Sequence, residues 1–152
     1  MNREPLSREV VMTAHCIRGH FEDALAKEGA TLATWVVLNG VDRGRWPSQT
    51  DLAKDLRIEG ATVTRHLDRL EREGLVNRSR DPEDRRQIAV QLSPAGKTLH
   101  RRLRAVARTL DDRACEGLTD RDRASLRRAL ERMRANVGGE SWEPARRKAT
   151  QG

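Results

Sequence analysis

Residues 48–94 change hydrophobic period from helix to strand with very little chain between the segments, and that constrains the fold more than anything else in the sequence. Ser48 with Asp51 three residues on predicts a capping box that opens a short helix through Leu56. "RIEG" at 57–60 reads as a turn ending in glycine. A second helix follows from about Ala61 to Glu73, with Val63, Leu67 and Leu70 on one face and Gly74 as its stop. "LVNRSR" (75–80) and "QIAVQL" (87–92) alternate as two strands of a hairpin do. Ser93-Pro94 then supplies an N-cap and a first-turn proline for another helix.

The flanks are helical. Val10, Ala14, Ile17, Phe21 and Leu25 form one stripe in a helix over about 6–28. "LATWVVLNGVD" (32–42) is apolar nearly all round, reads as a buried helix ending near Arg43-Gly44, and is followed by the breaker Trp46-Pro47. Leu99, Leu103, Val106 and Leu110 stripe a helix that runs to about Glu116. Thr119 with Asp122 forms a second capping box, and Leu126, Leu130, Met133 and Val137 stripe the last helix before Gly138-Gly139. Residues 140–152 are polar and read as a frayed end.

The chain has 152 residues, enough for one domain with a real core. Hydrophobic residues make up 36% and charged residues 35%, with one Phe and no Tyr, which suits long exposed helices better than a compact sandwich. The net charge of +7 points toward an anionic partner such as nucleic acid. No apolar run is long enough for a membrane span and no signal peptide opens the chain, so the expectation is a cytosolic protein without membrane contact. Cys16 and Cys115 lie far apart without metal-ligand spacing, which argues against a disulfide framework.

Helix, four-residue turn, helix is helix-turn-helix spacing, in which the second helix enters a major groove and meets base edges with its N-terminal residues. With Val63, Leu67 and Leu70 inward, the opposite face carries Thr62, Arg65, His66 and Arg69. Arginine pairs bidentately with guanine, and threonine offers thymine a hydroxyl and a methyl. Any solvated helix face can look similar, so the hairpin decides. A two-stranded ribbon directly after a helix-turn-helix makes a winged helix, and the ribbon tip can reach an adjacent minor groove. Here the tip, "DPEDRR" (81–86), holds three acids, two arginines and a proline. Arg85 and Arg86 suit the negative potential of a narrow minor groove. Asp84 is placed to orient Arg86 by a charge-assisted hydrogen bond; the plainer reading is a mixed-charge solvated loop. Residues 57–86 hold eight arginines against seven acids, so placement rather than total charge carries the reading.

"QTDLAKDLRIEGATVTRHLDRLEREGLVNRSRDPEDRRQIAVQLSPAGK" resembles the DNA-binding lobe of the MarR family of bacterial transcription regulators, near its SlyA-like branch. The Asp-Arg-Arg tip followed by a strand, Leu-Ser and Gly is the most specific feature. "TRHLDRLEREGLV" and "LATWVVL" add to it, and the likeness covers roughly 6–138. It implies a mainly α fold with a small β-hairpin wing, the winged helix-turn-helix inserted between dimerisation helices. The resulting layout is an N-terminal dimerisation helix (1–31), a DNA-binding lobe (32–93), C-terminal dimerisation helices (94–138) and a flexible tail (139–152), all in one structural domain. It further implies an obligate homodimer, a pseudo-palindromic operator on double-stranded DNA, a role in transcription as a repressor, and often a small effector. By position, Thr62 and Arg65 would read the major groove, with Thr64 and Arg69 as weaker candidates, and Arg85 and Arg86 would enter the minor groove. The outer helices agree independently: residues 99–116 span about 27 Å, more than a small winged helix needs to cover its own core. Their stripes want a partner, usually a second copy, which would set the recognition helices roughly 34–36 Å apart.

Effector sites in the family lie between the dimer helices and the winged lobe, making His15, Arg18, His20 and Trp35 the candidates for a small aromatic acid. Trp35 sits in the most apolar helix, where core packing is the favoured role. Cys16 and His20 share a helix face as a metal pair would, but no third ligand is evident, so neither metal nor cofactor is expected. Cys16 reads as a small buried apolar residue rather than a redox sensor. No nucleophile elbow, phosphate loop or paired acids suggest an enzyme. The rival readings are a winged-helix module for protein contact and a thiol-based redox-sensing regulator.

Overall fold

The computed structural model describes residues 4–44, 48–56, 60–80, 83 and 86–138. Its elements run α1 (Leu6–Lys27), α2 (Leu32–Asp42), α3 (Gln49–Leu56), α4 (Gly60–Arg72), β1 (Val76–Arg80), β2 (Ile88–Leu92), α5 (Pro94–Ala114) and α6 (Asp120–Asn136). The predicted breaker Trp46-Pro47, the first three residues of the predicted turn 57–60, and the tail 140–152 lie outside the described residues.

The helix starts follow from side chains that satisfy orphan N–H groups, each worth about 1 kcal/mol. Thr31 Oγ1 accepts from the Thr34 N–H at 3.2 Å, Ser48 Oγ from the Asp51 N–H at 3.2 Å, and Ser93 Oγ from the Gly96 N–H at 3.0 Å. At α6 the capping box is complete: Thr119 Oγ1 accepts from the Asp122 N–H, and the Asp122 carboxylate accepts from the Thr119 N–H. Gly74 ends α4 at a φ of 70°. There the Leu75 N–H reaches the Leu70 carbonyl and the Gly74 N–H the Glu71 carbonyl, both at 2.9 Å. A side chain would strain that left-handed position. The hairpin is antiparallel, with Val76 opposite Leu92 and Arg80 opposite Ile88.

One core holds the lobe together. Leu52 of α3, Val63, Leu67 and Leu70 of α4, Val76 of β1 and Leu92 of β2 close on Val37 and Leu38 of α2, with Leu25 of α1 and Leu103 of α5 completing the cluster. Each full burial of this kind stabilises by about 1.5–3 kcal/mol. Helix α6 adds no buried residue. Every residue from 11 to 20 of α1 is exposed, including Val11, Met12 and Ile17. The expectation of a buried Cys16 is therefore corrected: its thiol is exposed, because no described residue covers this half of α1.

Candidate nucleic-acid interface

Helix α4 turns its apolar face fully inward, so its polar face is held outward by about three side chains' worth of burial. Arg65 is exposed on that outer face, its Nε 3.4 Å from the Ala61 carbonyl. Thr62 is half-buried beside the helix start. Thr64 is tied inward: Gln49 Nε2 donates to its hydroxyl at 2.6 Å, and the hydroxyl donates to the Gly60 carbonyl at 2.9 Å. That bond couples α3 to α4. Gln49 Oε1 is buried with no hydrogen-bond partner among the described residues. Arg69 also points back into the protein, where its Nη2 donates to Thr34 Oγ1 at 3.0 Å at the start of α2. The structure thus separates the four major-groove candidates into Arg65 outside, Thr62 at the edge, and Thr64 and Arg69 engaged within the lobe.

At the wing, Arg86 is exposed two residues before β2 begins, whereas Asp84 and Arg85 lie outside the described residues. The wing's flank is held by a residue that sequence reasoning missed. Arg78 of β1, only 19% exposed, packs its guanidinium between two carboxylates of α4. Its Nη2 lies 2.5 Å from Asp68 Oδ1 and 2.6 Å from Glu71 Oε2, and its Nε donates to Glu71 Oε2 at 3.0 Å. The Arg78 backbone N–H donates to the other Glu71 oxygen at 3.2 Å. These bonds hold the Glu71 carboxyl below its ordinary range, with the Arg78 side chain as the main cause. The available signal was two acids three residues apart on the recognition helix, which charge counting had only netted against the arginines.

The lobe joins α5 just as tightly. Ser93 Oγ donates to the Gly74 carbonyl at 2.5 Å, and the Ser93 N–H donates to the Leu75 carbonyl at 3.0 Å. Gly96 passes so close that a Cβ there would collide with the Leu75 carbonyl.

The four effector candidates do not converge. His15 is exposed and Arg18 pairs with Glu22 at 2.8 Å on the outside of α1. His20 lines a cleft of about 530 Å³ between α1 and α5. Its Nδ1 lies 2.9 Å from the Cys16 carbonyl, the geometry of a donated bond, and 3.8 Å from the Cys16 sulfur. Trp35 lies elsewhere, meeting Phe21 edge-on and stacking on His100, with ring centroids 5.8 Å apart in both cases. It borders a cleft of about 340 Å³ lined also by Arg43, Arg104 and Arg108 and by Asp111 and Asp112. His100 is 2% exposed, within reach of Asn39 Oδ1 at 3.4 Å and Asp42 Oδ2 at 3.6 Å. Burial pushes its pKa down despite Asp42, and Arg104 and Arg43 push the same way. No group of three or more His, Cys, Asp or Glu placed to hold a metal occurs among the described residues, and no described helix is long and apolar enough to cross a membrane.

A buried helix pair, an outward second helix and an attached two-stranded wing define a winged helix-turn-helix protein. The MarR family model matches residues 31–88, the span from the cap of α2 to the start of β2. The chain is 36% identical over 90 residues to the uncharacterized HTH-type transcriptional regulator YdgJ of Bacillus subtilis, covering 59% of this chain and 55% of YdgJ. It spans about half the length of the Bacillus subtilis relatives it matches. A mutant MarR from E. coli, solved in complex with operator DNA, superimposes with a TM-score of 0.74 at 25% identity, covering 85% of this chain and 93% of that one. BpsR of Bordetella bronchiseptica, whose DNA binding is regulated by 6-hydroxynicotinic acid, has a TM-score of 0.71 at 26% identity, covering 86% and 98%. The DNA-binding lobe thus matches the MarR family model, and over most of its length the chain shares the fold of solved MarR structures. The match is to the family rather than to the SlyA-like branch within it.

Proposed function

We propose that this protein is a cytoplasmic transcriptional repressor, not an enzyme, that binds a pseudo-palindromic operator in double-stranded DNA as a homodimer. The observation that carries the reading is α4 itself: Val63, Leu67 and Leu70 are fully buried and Arg65 is exposed opposite them, beside a wing that ends in Arg86. In this reading Arg65 and Thr62 meet base edges in the major groove, while Thr64 and Arg69 serve chiefly to set the helix. Arg86, with Arg85 and an orienting Asp84, enters the minor groove. The exposed apolar residues of α1 and α6 are the surface a second copy would cover.

The test compares two variants at one salt concentration, since losing a cationic contact also flattens the salt dependence. Arg65→Ala is expected to lose about 1–3 kcal/mol per half-site and relax base preference there. Arg86→Ala is expected to weaken binding and the preference for A·T-rich flanks, with the central preference intact. An Arg86→Ala protein with parental affinity and salt slope would remove the wing from the interface.

An effector reading is favoured by the cleft beside Trp35, whose lining includes three arginines along with Asp111 and Asp112. A small aromatic acid fits that chemistry, with its carboxylate on a guanidinium, and such an acid regulates BpsR. Salicylate titration should quench tryptophan fluorescence and release DNA; neither change would exclude that ligand class.

A further inference from the structure

We propose that Arg78 is a positioning residue for DNA recognition: by clamping β1 onto Asp68 and Glu71 of α4, it fixes the angle at which the wing leaves the recognition helix. The proposal rests on the DNA-binding reading above and extends it to a residue that touches no base. Two-groove binding requires Arg65 on α4 and Arg86 at the wing tip to arrive together. The wing is a lone two-stranded ribbon, rooted in the core through Val76 and Leu92. A five-residue strand carries its tip about 16 Å from that root. A hinge freedom of about 10° at the root would then move the tip by ~3 Å, the length of a hydrogen bond. On β2 the core contacts extend to half-buried Val90, the partner of Arg78 in the register, while the core residue of β1 is Val76 at its base. Arg78 grips β1 two residues farther along, through a planar fork bonded to two carboxylates three residues apart on the helix. Lysine cannot reproduce that fork, because its ammonium is a point charge.

The chemistry gives the proposal an unusual sign. Asp68 and Glu71 belong to a helix meant to approach a polyanion, where each carboxylate is repelled by phosphate. On charge alone Glu71→Gln should tighten DNA binding. If the carboxylate instead holds the clamp, Glu71→Gln should weaken it. A direct phosphate contact by Arg78 is the alternative, and it is disfavoured by a side chain only 19% exposed and bonded on its Nε and Nη2 to protein carboxylates.

The experiment uses the full chain and a duplex enriched by the wild-type protein from a random-sequence pool. Dissociation constants at one salt concentration are measured with hydroxyl-radical footprints for Arg78→Gln, Arg78→Lys, Glu71→Gln, Arg86→Ala and the double variant Arg78→Gln/Arg86→Ala. Arg78→Gln is expected to lose about tenfold in affinity and the flanking minor-groove protection, while the major-groove protection persists; because it acts through Arg86, the double variant should bind like Arg86→Ala alone. Arg78→Lys should recover only part of the loss, and Glu71→Gln should weaken binding despite removing a negative charge. A merely stabilising role would lower the melting temperature and fade all protections together, which overturns the proposal. Tighter binding by Glu71→Gln overturns it, as does a double variant whose losses multiply in full. If the wild-type protein enriches no duplex, the DNA-binding reading itself fails before any variant is made, and the clamp falls with it.

Discussion

Leu67 in α4 and Leu126 in α6 are the same residue on helices with similar apolar stripes, yet the first is wholly buried and the second is 49% exposed. The contrast holds for the regions around them. In the lobe from α2 to β2, every helix and strand contributes at least one side chain to a shared core. In α6 no residue is buried, and in the first half of α1 Leu6, Val11 and Met12 are more than half exposed. An amphipathic stripe specifies that a face must be covered, not what covers it. The lobe covers its own faces; the outer helices leave theirs uncovered by the described residues, and clustered exposed apolar residues of this kind are what an interaction site presents.

Four measurements would break or sharpen that contrast, taken from the largest expected effect on one chain's stability downward. Leu67→Ala should cost about 3–5 kcal/mol, the loss of a buried leucine plus its cavity. Its melting temperature should fall equally at low and high protein concentration, since the damage lies inside the chain. Gly96→Ala tests the joint between the two regions. With the Leu75 carbonyl in the way, backbone must shift, and a loss of about 1–3 kcal/mol in denaturant titration is expected; an unchanged midpoint would mean α5 is only loosely seated on the lobe. Leu126→Asp should cost a single chain within about 0.5 kcal/mol, as at other exposed positions. In the proposed dimer it would place a charge in the covered face, so light scattering should show more monomer than for the parent. A stable, well-folded parental monomer at micromolar concentration would dissolve the contrast altogether.

The smallest effect concerns His100, where α5 meets α2. Burial lowers its pKa in the folded chain, so the unfolded chain takes up a proton first and stability rises with pH. The contribution is whole above the ordinary histidine value of 6.5 and is lost as the pH falls below it. The melting temperature should therefore drop between about pH 7.5 and 5.5, and His100→Gln should remove part of that drop. An identical pH profile for the variant would show that this histidine is not what senses the change.

Much of this was legible beforehand because it is local. The ends of α2, the caps Ser93 and Thr119, the Gly74 stop and the inward trio of α4 all follow from backbone hydrogen bonding and the 3.6-residue period. The fates of the polar candidates were less legible. Arg65 and Arg69 are one turn apart on the same face of α4, and the sequence ranks Arg69 second without a structural reason; Thr34 of α2 captures Arg69 and leaves Arg65 outside. The sequence groups Trp35 with Arg18, but α1 keeps Arg18 on its outer face while Trp35 turns toward His100.

By itself the sequence determined the order of elements, their caps and the faces that must be covered, because propensity, capping and periodicity act within a few residues of chain. Tertiary structure alone decided which charges are spent inside the molecule. Arg78 meets Asp68 and Glu71 only because the Gly74 turn folds β1 back along α4. Arg43, Arg104 and Arg108 share a cleft only because α5 crosses α2. A side chain's net charge is written in the sequence, but its partner is set by distance across the fold, and Coulomb attraction and hydrogen bonding act over ångströms of space rather than positions along the chain.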